Sequence, residues 1–261
     1  MKKHVRVTEP TPILNVSDFP SVFGGKDGMS LKRCEKGHIR EVEFVALLGD
    51  VFCVEKKISE YIYAVQVPSY PCSGSLYIDV RSTEETNFLS KRAQPVYTLD
   101  SLQHQLAALE GTPYVWGGNW SQGIPQWLSY YPPKKTLPTD LKDLWQLKGV
   151  DCSGLLYEVT SGDVPRNTSE LLSFGRGVPI ENNSPKNLQT LLRPLDIMVW
   201  KGHVLIVLDE EAVIESKEGL GVIRTSLLKK LEELCEARTP KNEWNKNLNR
   251  YFVVRRWLEK K

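Results

Sequence analysis

Three residues in the second half of the chain have the types that thiol-based nucleophilic chemistry needs: Cys152, His203 and Glu215. A thiolate attacks, an imidazole takes and returns the proton, and a third group holds the ring and stabilises its charged form. Cys152 lies in Gly149-Val150-Asp151-Cys152-Ser153-Gly154-Leu155-Leu156-Tyr157-Glu158-Val159. That stretch predicts a turn feeding a helix, because Asp151 and Ser153 suit a helix entry and Leu155, Leu156 and Val159 make one apolar face. A thiol in the first helical turn sits among backbone N–H groups at the positive end of the helix dipole, which favours its ionised form. A buried Cys packing as a small apolar side chain is the other reading of that position.

The elements that must position these groups follow from the patterning around them. Asp196-Ile197-Met198-Val199-Trp200 turns at Lys201-Gly202 into His203-Val204-Leu205-Ile206-Val207-Leu208, a pair of strands. The other histidines, His4, His38 and His104, lie outside this region's sheet, so His203 is the candidate base. Ala212-Val213-Ile214-Glu215 predicts the next strand, and Glu215 would face His203 across the ladder. Gly221–Arg224 is a candidate fourth strand, 229–235 a helix, and 251–257 a closing strand. Upstream, Asp100 or Ser101 is expected to cap a helix lined by Leu102, Leu106 and Leu109 and stopped by Gly111. Short helices are expected after Pro165 and after Ser184, the latter with Pro185 at its first position. Helices followed by an antiparallel sheet make this region α+β.

Residues 1–93 read differently. Val42–Leu48, Val51–Glu55, Tyr61–Val67 and Leu76–Val80 are short strands punctuated by Gly, Pro and Ser, with Gly49-Asp50 read as a tight turn between the first two. A small all-β barrel is expected. The polar run from Arg81 to about Pro95 is the expected linker. Between Gly118 and Asp151 lies a long segment carrying Trp120, Trp127, Tyr130, Tyr131 and Trp145. It is expected to form a satellite core, or else to wall a cleft.

Composition limits the function classes. The chain has 261 residues and a net charge of +2, so no strong field points to nucleic acid or an anionic membrane. No apolar run is long enough to span a bilayer, and the start carries no secretory pattern. Five irregularly spaced cysteines with no C-x-x-C pair argue for reduced thiols rather than a disulfide framework. Cys34 and His38 lack a second pair to complete a zinc site, and no metal or other cofactor is expected.

Gly111-Thr112-Pro113-Tyr114-Val115-Trp116-Gly117-Gly118, Asp151-Cys152-Ser153-Gly154, Val164-Pro165-Arg166, Pro194-Leu195-Asp196-Ile197 and His203-Val204, in this order, resemble the NlpC-type cell-wall cysteine peptidases. The resemblance covers about residues 95–257 and implies a compact papain-like domain over 94–261. Residues 1–93 resemble the bacterial SH3-like domain often fused to that family. By this resemblance Cys152 would be nucleophile, His203 general base then acid, and Glu215 the orienting residue. The family usually carries His, Asn or Gln in that third place. The Cys152 N–H and the Tyr114 hydroxyl would hold the oxyanion. Asp151 and Ser153 would bind a free substrate amine, Arg166 and Thr168 would shape a D-glutamate pocket, and Trp116 would form a pocket wall.

The activity implied is hydrolysis of the γ-D-glutamyl–diamino acid bond, to diaminopimelate or lysine, in peptidoglycan stem peptides. The SH3-like domain is expected to block one end of the cleft, and the long 119–150 segment to narrow it. Free muropeptides, as in recycling, are then the expected substrates. The alternatives are an N-acetylmuramoyl-L-alanine amidase-type cysteine hydrolase and a catalytically silent wall-binding protein. The expected protein is a cytoplasmic monomer without a membrane span. A periplasmic or secreted location is the alternative if a leader has been removed.

Overall fold

Short runs of β-branched and aromatic residues broken by Gly and Pro give the first part of the chain its strands. The computed structural model describes residues 3–87, 92, 96–247 and 250–258. His4–Val7 (β1), Thr11–Leu14 (β2), Val42–Ala46 (β3), Val51–Lys57 (β4), Ile62–Gln66 (β5), Leu76–Asp79 (β6) and Thr83–Thr86 (β7) form one antiparallel sheet in the order β3-β2-β6-β5-β4-β1-β7. Bulges between Ile13 and Leu14 and between Val54 and Lys56 bend the strands locally.

Two expectations change here. β3 and β4 do not pair with each other: β3 pairs with β2, while β4 pairs with β1 and β5. The Leu47-Leu48-Gly49-Asp50 corner therefore joins strands that are apart in the sheet. Leu47 N–H donates to Asp50 Oδ2 (2.8 Å) and Gly49 N–H to the Val7 carbonyl (2.8 Å), which fixes the corner without a hairpin. The polar residues Thr83–Thr86, read as the start of a linker, are an edge strand paired to β1. Exposed charges on an edge strand block further pairing, so their polarity fits a strand as well as a linker. Most of the rest of the expected linker lies outside the described residues.

The chain divides into two compact units. One comprises Met1–Gln94 with Val115–Gly154, the other Pro95–Tyr114 with Leu155–Lys261. The aromatic segment therefore belongs to the first unit, and it forms no separate satellite core. Trp127, Trp145 and Tyr131 share one apolar cluster with Phe19, Val22, Phe23 and Val42. Trp127 and Trp145 have no exposed surface, and Trp145 Nε1–H donates to the Tyr131 carbonyl (3.0 Å).

In the second unit, Arg176–Gly177 (β8), Ile197–Trp200 (β9), His203–Val207 (β10), Ala212–Lys217 (β11), Gly221–Ser226 (β12) and Tyr251–Arg256 (β13) form an antiparallel sheet in the order β8-β13-β9-β10-β11-β12. A short parallel piece, Thr239–Pro240, joins β13. Met198, Leu205, Val207, Val213 and Phe252 pack against Leu188, Leu192, Leu227 and Leu231 of the Pro185–Leu191 and Leu227–Ala237 helices and the residue after the first. The Leu99–Ala108 helix is capped by Thr98, not by Asp100 or Ser101. Thr98 Oγ1 accepts from Ser101 N–H (3.1 Å), and Ser101 Oγ accepts from Thr98 N–H (2.9 Å). A hydroxyl at each end completes the capping box. The fold is mixed α and β with antiparallel sheets. Among the described residues, no helix is long and apolar enough to cross a membrane.

Candidate active site

The candidate residues fall in both units, and the Cys152–Val159 helix starts in the first and continues into the second. In the first, Cys152 is the first residue of the Cys152–Val159 helix and is 8% exposed. The helix forms because Leu155, Leu156 and Val159 bury one face, as their spacing predicts. Asp151 organises its entry. Its Oδ1 accepts from Gly154 N–H (2.7 Å) and Ser153 Oγ–H (3.2 Å), and its Oδ2 accepts from Gly117 N–H (3.1 Å). Asp151 N–H in turn donates to the Gly118 carbonyl (2.9 Å). The carboxylate thus caps the helix and ties it to the Gly117-Gly118 turn, satisfying backbone donors that the helix leaves open.

The same turn is pinned to β3. Asn119 is fully buried; its Oδ1 accepts from Val45 N–H and its Nδ2 donates to the Val45 carbonyl, both at 2.8 Å. The amide copies a strand pairing and closes the end of the ladder. Asn119 and Trp120 pair with Val150 and Gly149, which sets the strand leading into Cys152. Trp116 remains 36% exposed. The Arg40 guanidinium lies 3.7 Å from its ring centroid, and the His38 ring stacks on it at 5.6 Å and 16°.

In the second unit, the two-residue turn Lys201-Gly202 sets Trp200 opposite His203, with Gly202 at φ +91°. His203 Nε2 lies 2.7 Å from Glu215 Oε2. The ladder pairs Ile206 with Ile214 and Val207 with Val213. Continued, that register sets His203 opposite Lys217, so Glu215 reaches the ring on the diagonal of one sheet face. Glu215 is 3% exposed, and its other oxygen, Oε1, lies 2.9 Å from Lys230 Nζ on the Leu227–Ala237 helix. The Lys230 contact is an ion pair whose angles depart from those of a hydrogen bond. Burial alone would raise the Glu215 pKa; the contacts with His203 and Lys230 outweigh it and hold the carboxyl at about 2. Burial pulls the Lys230 pKa down, but Glu215 more than offsets this, and the ammonium sits above its ordinary value.

This contact uses Nε2 and leaves Nδ1 as the other ring nitrogen. The Trp200 ring lies against the imidazole, centroids 5.1 Å apart and tilted by 46°. Tyr114 is half-buried and follows Thr112, whose carbonyl accepts from Val222 N–H (2.8 Å) on β12. Gly221 permits this approach, since a Cβ there would lie 2.4 Å from the Thr112 oxygen. Arg166 is buried, and Thr168 is half-buried at the start of the Thr168–Leu171 helix.

The structure thus brings His203 to Glu215 and Asp151 to Ser153. Trp116 stands in the first unit, and Tyr114, Arg166 and Thr168 in the second. Lys230 and Asn119 are the residues that sequence reasoning missed. Nothing distinguishes Lys230 in the run Lys229-Lys230-Leu231-Glu232-Glu233, whereas Asn119 sits directly after the Gly117-Gly118 pair. Among the described residues, no group of three or more His, Cys, Asp or Glu side chains is arranged to hold a metal ion.

No family model matches the chain, and no curated protein matches it. Solved structures similar to it include an NlpC/P60 family protein from Bacillus cereus, at 16% identity and a TM-score of 0.38, over 99% of this chain and 64% of that one. NlpC2 from Trichomonas vaginalis is similar at 11% identity and a TM-score of 0.34, over 100% of this chain and 74% of that one. NlpC1 from the same organism is similar at 10% identity and a TM-score of 0.38, over 100% and 94%. The chain thus spans 64% of the length of the Bacillus protein, and these structural neighbours are NlpC/P60 proteins.

Proposed function

We propose that this chain is a cysteine peptidase of the NlpC type, with a papain-like catalytic domain and an SH3-like N-terminal domain. Cys152 attacks the substrate carbonyl as thiolate, and His203 takes the thiol proton and returns it to the leaving amine. Glu215 holds the ring and stabilises its charged form. The observation that carries this reading is the 2.7 Å contact of His203 Nε2 with a buried, ionised Glu215. A packing histidine has no need of a carboxylate held at about 2. Cys152 at the first position of its helix, behind a carboxylate cap, supports the nucleophile assignment.

The substrate we propose is the γ-D-glutamyl–diamino acid bond of peptidoglycan stem peptides, taken as free muropeptides in the cytoplasm by a monomer. Tyr114 and the Cys152 N–H would stabilise the oxyanion, Asp151 and Ser153 receive the free amine, and Trp116, Arg166 and Thr168 line the substrate. The test is mass spectrometry of the products from L-Ala-γ-D-Glu-diaminopimelate. Release of L-Ala-D-Glu by the wild type, lost by a factor of 10³ or more in Cys152→Ala, is the expected result. Equal release by both proteins, or cleavage at another bond, overturns it.

A further inference from the structure

Glu215 divides its two oxygens between an imidazole and an ammonium, and this division bears on how His203 works. The inference rests on the reading of His203 as general base. A carboxylate buried beside an imidazole stabilises the imidazolium, and a ring kept charged has no lone pair with which to accept a proton. It also leaves one buried charge uncompensated whenever the ring is neutral, which a low-dielectric surrounding penalises. Lys230 answers both problems. Its Nζ lies 2.9 Å from Oε1, while Oε2 lies 2.7 Å from His203 Nε2. The Lys230 side chain is 13% exposed and also reaches Glu233 at 3.4 Å. Among the described residues of the second unit, the charged groups beside this cluster include Glu215, Lys230 and Glu233, with the exposed Lys217 opposite His203 in the continued register; Arg238 lies 4.9 Å from the Trp200 ring centroid.

We propose that Lys230 is a positioning residue that neutralises Glu215, so that His203 donates Nε2–H to a charge-compensated carboxylate and keeps Nδ1 as the basic nitrogen. The ion pair then acts on the ring as a neutral acceptor would, while keeping the geometry of a carboxylate. The ammonium also fixes the carboxylate plane by holding the oxygen that His203 does not use.

NMR titration of the His203 ring in the full chain, assigned against His203→Gln, tests this. Lys230→Met is expected to raise the ring's titration midpoint by about one pH unit, a tenfold gain in proton affinity. Lys230→Arg is expected to leave it within about 0.3 unit, and Lys230→Met combined with Glu215→Gln to bring it back down. The acid limb of the kcat/KM profile should move by the same amount, which a merely structural lysine would not produce. Should Lys230→Met fail to fold, Lys230→Gln removes the charge while keeping a polar head against Oε1. An unchanged midpoint in the neutral variants, or the same rise in the double variant, overturns the proposal. The titration reads the cluster whether or not peptide is cut. A shifted midpoint in a protein that hydrolyses no stem peptide would leave the charge relation standing and remove the peptidase reading.

Discussion

Gly154 lies so close to the Gly118 carbonyl that a Cβ at position 154 would stand 1.9 Å from that oxygen. Ala for Gly inside a helix ordinarily stabilises by about 0.5–1 kcal/mol. Here the obstacle is backbone, held by the Asp151 N–H bond to the same carbonyl. Overlap on that scale forces the turn and the helix apart. Gly154→Ala is therefore expected to destabilise by about 2–4 kcal/mol, read by urea unfolding. A stabilised Gly154→Ala would show that the turn is not built this way.

Asp151 accepts from two backbone N–H groups and one hydroxyl. Hydrogen bonds to a charged acceptor contribute about 1.5–3 kcal/mol, and the loss here is shared among groups that partly relax. Asp151→Ala should cost about 2–4 kcal/mol and Asp151→Asn about half as much, since an amide oxygen keeps one acceptor. Thermal unfolding of both variants beside Ser153→Ala checks the order. If Asp151→Ala proves as stable as wild type, the cap contributes nothing.

Asn119 offers Val45 a donor and an acceptor together. Asn119→Asp puts a second acceptor against the Val45 carbonyl, while Asn119→Ala leaves both backbone groups open. Either change should cost about 2–4 kcal/mol, the Asp variant more at neutral pH than at pH 4. Unfolding midpoints at the two pH values supply the comparison. A pH-independent Asn119→Asp would mean that the carboxylate has swung away from the strand.

The Glu215 carboxyl is held at about 2, below its ordinary value of 4.5. A group lowered on folding stabilises fully above its unfolded value and loses that contribution as pH falls through the folded one. Wild type should therefore exceed Glu215→Gln in stability by on the order of 3 kcal/mol at pH 6–7, and the gap should close between about pH 4.5 and pH 2. Denaturant titrations of the pair across that range check it. A gap that persists at pH 2 would place the effect in packing rather than charge.

Local chemistry made parts of this protein readable in advance. The helix entry at Cys152 and the Ser184-Pro185 start of another are written in adjacent residues. The Trp200–His203 turn needs only a two-residue corner with a glycine. What was illegible depends on partners far along the chain. β3 and β4 look like a hairpin because they are consecutive, yet each finds better company elsewhere in the sheet. The aromatic segment pairs its Trp127 with Phe19 and Phe23, over a hundred residues away, and no periodicity encodes that. Lys230 reaches Glu215 from a helix whose charged positions all look alike in sequence, and only the fold singles one out.

Because Val115–Gly154 belongs with Met1–Gln94, neither unit is a continuous piece of polypeptide. A fragment ending near residue 94 would be translated without Trp127 and Trp145, and one starting there would carry those indoles with no cluster to enter. Gene fusions that exchange the first ninety-odd residues for an unrelated β module would meet the same difficulty. The two stretches are thereby bound to change together over evolutionary time, as a single inherited block.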